Sequence, residues 1–297
     1  MNSELATPAG KRSAKALGIT NKKFVEDSWM DSLGRFIDFM CYNIPPGPAF
    51  IPMRYYVNFA KGGMFFYLFG MMIYYDNWSL GAYLYLALHG SYGFFWVLKD
   101  QAFPDPTFGR LCTFNSVMMP IPIALYPYAL PGYWMMSRQC PQEFSNERIF
   151  LAVLIYILGL VFVMLTDMQK YLVLREKKGL ITHGMMGWSR NMNYVGEMML
   201  YASFNILVQR WEIWFVYSYM WGIVFVLRML TKDYSLSKKV GWPEYAQRTW
   251  MYFPKIYNSA LVSLFFYTSL IALSYACYIN GGIENFAKLV FVSQPAR

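Results

Sequence analysis

The chain has 297 residues, of which 57% are hydrophobic and only 14% charged, with a mean hydropathy of +0.26. A soluble domain of this size could not cover its surface with so few charges, so the composition points to a polytopic membrane protein. The formal net charge of +9 does not signal nucleic acid, because the basic residues lie in loops between apolar runs and form no stripe on a soluble domain.

In chain order, residues 1–23 are polar and basic with one acid, Glu4. They are too hydrophilic for a secretory signal and too poor in Arg for a mitochondrial presequence, so no address is readable there. The stretch "FVEDSWMDSLGRFIDFM", residues 24–40, sets Val25, Trp29, Leu33, Phe36, Ile37 and Met40 at helical spacing opposite Glu26, Asp27, Asp31, Arg35 and Asp38. That pattern predicts an amphipathic helix lying on a membrane or a partner, ended by "NIPPGPAF".

A helix needs about 20 mostly apolar residues to cross a bilayer, and such runs number about seven. They fall near 60–75, 80–98, 111–136, 149–166, 193–209, 211–229 and 258–279. The third contains Pro120, Pro122, Pro127 and Pro131, so it is expected to be kinked or broken. Lys and Arg concentrate before the first run, in the fourth-to-fifth loop (Lys170, Arg175, Lys177, Lys178, Arg190) and in the sixth-to-seventh (Arg228, Lys232, Lys238, Lys239, Arg248, Lys255). The positive-inside rule then places the N-terminus and both large basic loops on one side. Cys41, Cys112, Cys140 and Cys277 are far apart, and His89 and His183 are the only histidines, so no disulfide frame and no metal site is expected.

"GWSRNMNYVGEMMLYASF", residues 187–204, puts Glu197 inside an apolar run. A shallow carboxylate that snorkels to the surface is one reading. However, Arg190, Asn193, Glu197, Tyr201 and Asn205 recur every three or four residues and share a helical face. A polar stripe running into an apolar helix faces a cavity or a partner rather than lipid.

"TDMQKYLVLREKKGLITHGMMGWSRNMNYVGEMMLYASF", followed by "RMLTKDYSLSKKVGWPEYAQRTWMYFPKIY", resembles the C-terminal domain of the steroid 5-alpha-reductase family of membrane reductases. The likeness spans roughly residues 80–257 and is nearest to an uncharacterised branch of that family. It implies an all-α membrane fold whose basic loops grip NADPH while the nicotinamide reaches a lipid-accessible cavity. Residue by residue, it offers Lys170, Arg175, Lys177, Lys178, Arg190 and Arg228 for the phosphates, and Asn193, Tyr194, Glu197, Asp233 and Tyr245 for orienting the rest of the cofactor. The acid that catalytic members carry in their N-terminal half is not matched, since no Glu or Gln lies between Gly62 and Asp100. The titratable cluster there is His89 with Tyr85 and Tyr92, so His89 and Tyr92 join Glu197 as catalytic candidates.

These readings divide the chain into a polar arm with the amphipathic helix (1–55), a reductase-like membrane domain (56–257), and a further span with its tail (258–297). The expected activity is NADPH-dependent reduction of a carbon–carbon double bond in a lipid or sterol-like substrate. The expected setting is integral to a bilayer, in the endoplasmic reticulum or the mitochondrial inner membrane. A second reading is a catalytically silent accessory subunit of a large membrane complex, a respiratory one for example, docked through the arm and the last helix. A third, methyl transfer from S-adenosylmethionine, shares only the wider outline of the motif.

Overall fold

The computed structural model describes residues 29–44, 46–118 and 120–291. The polar arm and the first five residues of the expected amphipathic helix lie outside them. The helix itself runs over Trp29–Tyr42 (α1), with Trp29 and Phe36 exposed. Next comes a strand, β1 (Ala49–Pro52), that pairs antiparallel with β2 (Leu111–Thr113), so the expectation of a purely α-helical chain needs correction. Thr113 Oγ1 donates to Ile44 O and Ser116 Oγ accepts from Ile44 N, which ties the turn after α1 to this ribbon.

Helices α2 (Met53–Gly62) and α3 (Met64–Tyr74) follow, then α4 (Leu80–Tyr85) and α5 (Ser91–Ala102), the last two joined through a π-helical turn at Leu86–Gly90. After β2 come α6 (Phe114–Met118) and α7 (Pro120–Met136), the latter with Pro127 and Pro131 inside it. The long α8 (Asn146–Glu176) starts at Ser145, whose hydroxyl caps the Arg148 N–H. Short α9 (Met185–Trp188) leads into α10 (Met192–Val208). Gln209, in the left-handed region at φ 54°, closes α10, and Arg148 Nη1 donates to Ile206 O in its last turn. α11 (Trp211–Tyr219) runs through a second π-helical segment into α12 (Val226–Ser237), and α13 (Trp242–Arg248), α14 (Ala260–Ile279) and α15 (Ile283–Phe291) complete the chain.

Among the described residues, three helices are long and apolar enough to cross a membrane: Asn146–Glu176, Trp211–Ser237 and Ala260–Ile279. Of the other expected spans, those near 60–75, 111–136 and 193–209 are interrupted or short, and the one near 80–98 is a single helical stretch, Leu80–Ala102 through its π-helical turn, that is not apolar enough. The fifth is α10, whose 17 residues rise about 26 Å at 1.5 Å each, short of the roughly 30 Å of a hydrocarbon core. It is also enclosed by protein, with ten of its residues buried.

The tightest packing joins α8 to α10. Ala152, Tyr156, Gly159, Val163 and Thr166 are buried along α8 at alternating spacings of four and three, the pattern of a helix–helix seam. At its centre two glycines meet backbone to backbone. A Cβ on Gly196 would lie 2.6 Å from Gly159 O, and one on Gly159 would lie 2.7 Å from Gly196 O. Small residues let membrane helices approach in this way without a hydrophobic drive between them. We expect Gly196→Ala to cost about 1–3 kcal/mol by overpacking, visible as a thermal midpoint several degrees lower in detergent. Gly70→Ala is the control: the added methyl meets nothing within 4 Å, and the midpoint should hold or rise.

Candidate functional site

A cavity of about 920 Å³ runs between α10 and the α11–α12 helix, with α1, α2, α5, α7, α8 and the loop before α9 also contributing to its wall. Along α11–α12 the lining residues recur from Ile213 to Leu236, a rise of roughly 35 Å at 1.5 Å per residue. All five residues of the polar stripe read from spacing, Arg190, Asn193, Glu197, Tyr201 and Asn205, line it. One end gathers the basic loops. The other is an aromatic chamber in which Trp221 stacks on Phe225 at 4.0 Å and Tyr201 packs against Trp221 and Tyr128 at 5.8 and 5.7 Å. The aromatic rings and Ile213 and Val216 make that chamber a site for an apolar body, and the basic end suits an anion.

Arg190 is held by its own chain. Its Nε donates to Asp233 Oδ2 at 2.8 Å, its Nη1 donates to Thr249 O, and the guanidinium faces the Trp242 ring at 5.4 Å. Its neighbours do similar work: the Ser189 hydroxyl donates to Tyr252 O, and Asn191 Nδ2 donates to Met251 O at 2.7 Å. Residues 189–191 therefore clamp the segment 249–252 across the start of α10. Asp233 sits behind Arg190 and is not on the cavity wall. Tyr245 does reach the wall, but burial pushes its phenol up to about 12 against the pull of Arg190, so it stays protonated and donates to Met186 O at 2.8 Å.

Between the two ends, α2 and α5 supply a chain of charges that the sequence reading did not single out as a site. A Cβ on Gly93 would lie 2.2 Å from Lys61 O, so the two helices touch by backbone there. The contact lays Lys61 over the Trp96 indole, with Nζ 3.5 Å from a ring centroid, while Lys99 Nζ lies 4.1 Å from the same indole. Each ammonium has a carboxylate beyond: Glu197 Oε2 is 3.9 Å from Lys61 Nζ, and Asp167 accepts from Lys99. Lys61 Nζ also donates to the Tyr92 hydroxyl at 3.0 Å. Lys61 and Lys99 interrupt or end apolar runs, which was the available signal. The first falls at the start of the expected 60–75 run, and the second falls one residue past the expected 80–98 run.

Of the other expected site residues, Lys170 lines the cavity but is paired with Asp105 at 2.6 Å. Burial would raise the Asp105 carboxyl, yet Lys170 and the Thr107 N–H outweigh it and hold the group at about 2, below its ordinary 3.8. Tyr194 and Arg228 line the cavity, and Arg175, Lys177 and Lys178 do not. Nor do His89 and Tyr92. His89 lies behind the wall with Nδ1 at 2.9 Å from the Tyr85 hydroxyl and its ring stacked on Phe204 at 4.3 Å, and its Nε2 has no partner. Tyr92 sits behind the wall, bonded to Lys61 and packed against the lining rings of Trp96, Tyr201 and Phe204. Asn193 presents an Oδ1 that is buried without a partner.

Two outcomes follow from these pairings. Glu197→Leu leaves the Lys61 ammonium without its carboxylate and should lower the thermal midpoint by several degrees, on the order of 1–3 kcal/mol. Glu197→Gln keeps shape and hydrogen-bonding capacity and should lower it less, and Lys61→Met added to Glu197→Leu should recover part of the loss. For Asp105, a carboxyl held below its unfolded value stabilises the fold above about pH 4 and gives up that contribution as pH falls towards 2. Asp105→Asn should accordingly melt earlier than the parent at pH 6, with the gap closing across that acid window.

Residues 107–249 match a family described as "Protein of unknown function (DUF1295)", which is a steroid 5-alpha-reductase-like family. No curated protein matches the chain at a significant level. The matched stretch carries the Arg190 clamp, the α10 stripe and α12, and it leaves out Lys61, Trp96, Lys99 and α14.

Proposed function

We propose that the chain is a membrane-embedded, NADPH-dependent reductase of a carbon–carbon double bond in a lipid or sterol-like substrate. The observation that carries this reading is one continuous cavity with a cation-rich end, an aromatic end, and the Lys61–Glu197 pair between them. Its volume of about 920 Å³ is in the range of small-molecule and cofactor sites. The donor set fits a phosphorylated nucleotide: Lys and Arg side chains at the mouth offset phosphate charge, and the unpartnered Asn193 Oδ1 is an acceptor for a hydroxyl. NADPH, when bound, supplies hydride.

The chain's own groups do the rest. Tyr128, Tyr201, Trp221 and Phe225 exclude water and take up the apolar body of the substrate. Lys61, with Tyr92 behind it, holds a proton at the wall for the carbon that does not receive hydride, and Glu197 holds the ammonium in place. His89 serves the packing behind the wall through its Tyr85 and Phe204 contacts.

One observation favours the accessory-subunit reading. α14 lies outside the matched stretch and is almost bare, with Ser263 as its one buried residue. Its lower part is fixed by Tyr267, which donates to Pro254 O at 2.8 Å, and the start of α15 just beyond its far end by Glu147, which accepts from Glu284 N. A helix pinned at both ends and bare between presents an apolar face to lipid or to another subunit.

A single experiment separates these readings. NADPH at 100 times its Kd should stabilise the purified protein by about 2.7 kcal/mol, a clear thermal shift that S-adenosylmethionine does not reproduce. No shift with millimolar NADPH, together with native migration far above 34.8 kDa plus micelle, would replace the reductase by the subunit.

A further inference from the structure

The aromatic chamber contains a carboxamide that the chain leaves unused. Asn205 is 3% exposed and lines the cavity. Its backbone carbonyl accepts from Gln209 N, but among the described residues its side chain makes no hydrogen bond. Its polar neighbours are satisfied by backbone: the Ser203 hydroxyl donates to Leu200 O at 2.6 Å, and the Tyr217 hydroxyl, from the facing helix, donates to Met198 O at 2.8 Å. A carboxamide carries two N–H donors and an oxygen with two lone pairs, and burying it unpaired costs free energy that an apolar side chain of the same size would not.

The surroundings are apolar. Ile213 lies at the same depth on α11, four residues past the turn at Gln209 as Asn205 lies four before it, and Phe204 and Val216 line the same end. A second chamber residue is in the same state: Tyr128, in ring contact with Tyr201 one turn before Asn205, buries a hydroxyl without a partner. A water resting on Asn205 among such neighbours is poorly held, and a ligand oxygen that replaces it gains affinity. Asn205 also lies eight residues beyond Glu197 on one helix, about 12 Å at 1.5 Å per residue, so the distance from the innermost charges to the amide is set by α10 itself.

We propose that Asn205 is a specificity-determining residue whose amide binds a hydroxyl or carbonyl oxygen at the leading end of the apolar ligand. The ligand class is an apolar molecule with a neutral oxygen at the end remote from the bond that reacts. A ligand that is hydrocarbon at its leading end leaves the amide unpaired and is disfavoured. A ligand charged there is excluded, because among the described lining residues no charge lies deeper than Lys61 and Glu197. The inference rests on the reductase reading for which end of the ligand reacts; the recognition of the leading end rests on Asn205 alone.

The probes are androstenedione and its analogue with a methylene in place of the carbonyl farthest from the enone, two rigid molecules that differ only at the leading end. The full-length protein in detergent is titrated with each, with and without NADPH, and read by thermal shift and by NADPH oxidation. The parent should bind androstenedione about tenfold more tightly than the analogue, the difference one hydrogen bond makes. Asn205→Leu should abolish that preference by weakening androstenedione alone, while its ligand-free thermal midpoint holds or rises, because the amide bonds nothing in the chain. Asn205→Ala, which removes the amide without adding bulk, carries the same comparison should the leucine variant fail to fold. Equal binding of the two probes by the parent, a preference that survives in the variants, equal weakening of both probes by the variants, or binding of neither probe each overturns the proposal. Protection and oxidation of NADPH without the preference leave the reductase reading standing and remove Asn205 from it. An Asn205-dependent preference without any NADPH protection keeps the proposal for the chamber and removes the reductase reading.

Discussion

The close approach of α8 and α10 at Gly159 and Gly196 sets the direction of every functional side chain on α10. With no side chain on either glycine, the two backbones meet, and α10 cannot rotate about its axis without separating them. Gly196 must point at α8, so Glu197, one residue and about 100° further round at 3.6 residues per turn, points away from it into the cavity. Asn193 and Tyr201, four residues to either side, follow Glu197. A glycine next to a glutamate in an apolar run is thus one device: the first residue fixes the helix and the second uses the orientation.

That device was half legible in the sequence. The stripe from Arg190 to Asn205 could be read because a 3.6-residue period survives any ignorance of what it faces, and the structure puts all five residues on one cavity. The partner of the stripe could not, because Lys61 is 136 positions away and becomes a neighbour only through the backbone contact at Gly93. The ribbon of β1 and β2 escaped notice for a different reason. Strands of four and three residues are too short to show a two-residue period, and the second begins inside an apolar run that reads as a span. The π-helical turns at Leu86–Gly90 and Met220–Phe225 leave no compositional mark either.

The Arg190 motif shows where reading by residue type stops. A guanidinium in a basic loop suits a phosphate, and nothing in "SRNMNY" tells whether the acceptor belongs to a ligand or to the chain. Here Asp233 and the Thr249 carbonyl hold it, and Ser189 and Asn191 bond the carbonyls of Tyr252 and Met251. A buried donor left without an acceptor costs more than a well-made bond gains, so a motif dense in donors at a helix start is satisfied first by local backbone. Among the described residues, the cavity cations with no carboxylate in ion-pair distance are Arg228, Lys232 and Lys239, and that distinction exists only in three dimensions.

The placement of the paired and unpaired charges gives the cavity a direction. Ion pairs removed from water are stable when both partners are present, and Lys99–Asp167 meets that condition inside the wall, while Lys170–Asp105 is paired at a part-exposed position. Beyond Glu197 on the inward side α10 contributes Tyr201, Phe204 and Asn205, and α11 contributes Ile213, Val216 and Tyr217, none of them charged at neutral pH. Lys61 and Glu197 are therefore the innermost charges, and the excess cations of α12 lie towards the basic loops. An amphiphile with an anionic end and an apolar end can enter this field in one orientation without stranding a charge in the aromatic chamber. The ammonium of Lys61, 3.9 Å from its carboxylate and 3.0 Å from the Tyr92 hydroxyl, then lies where the two ends of any such ligand join.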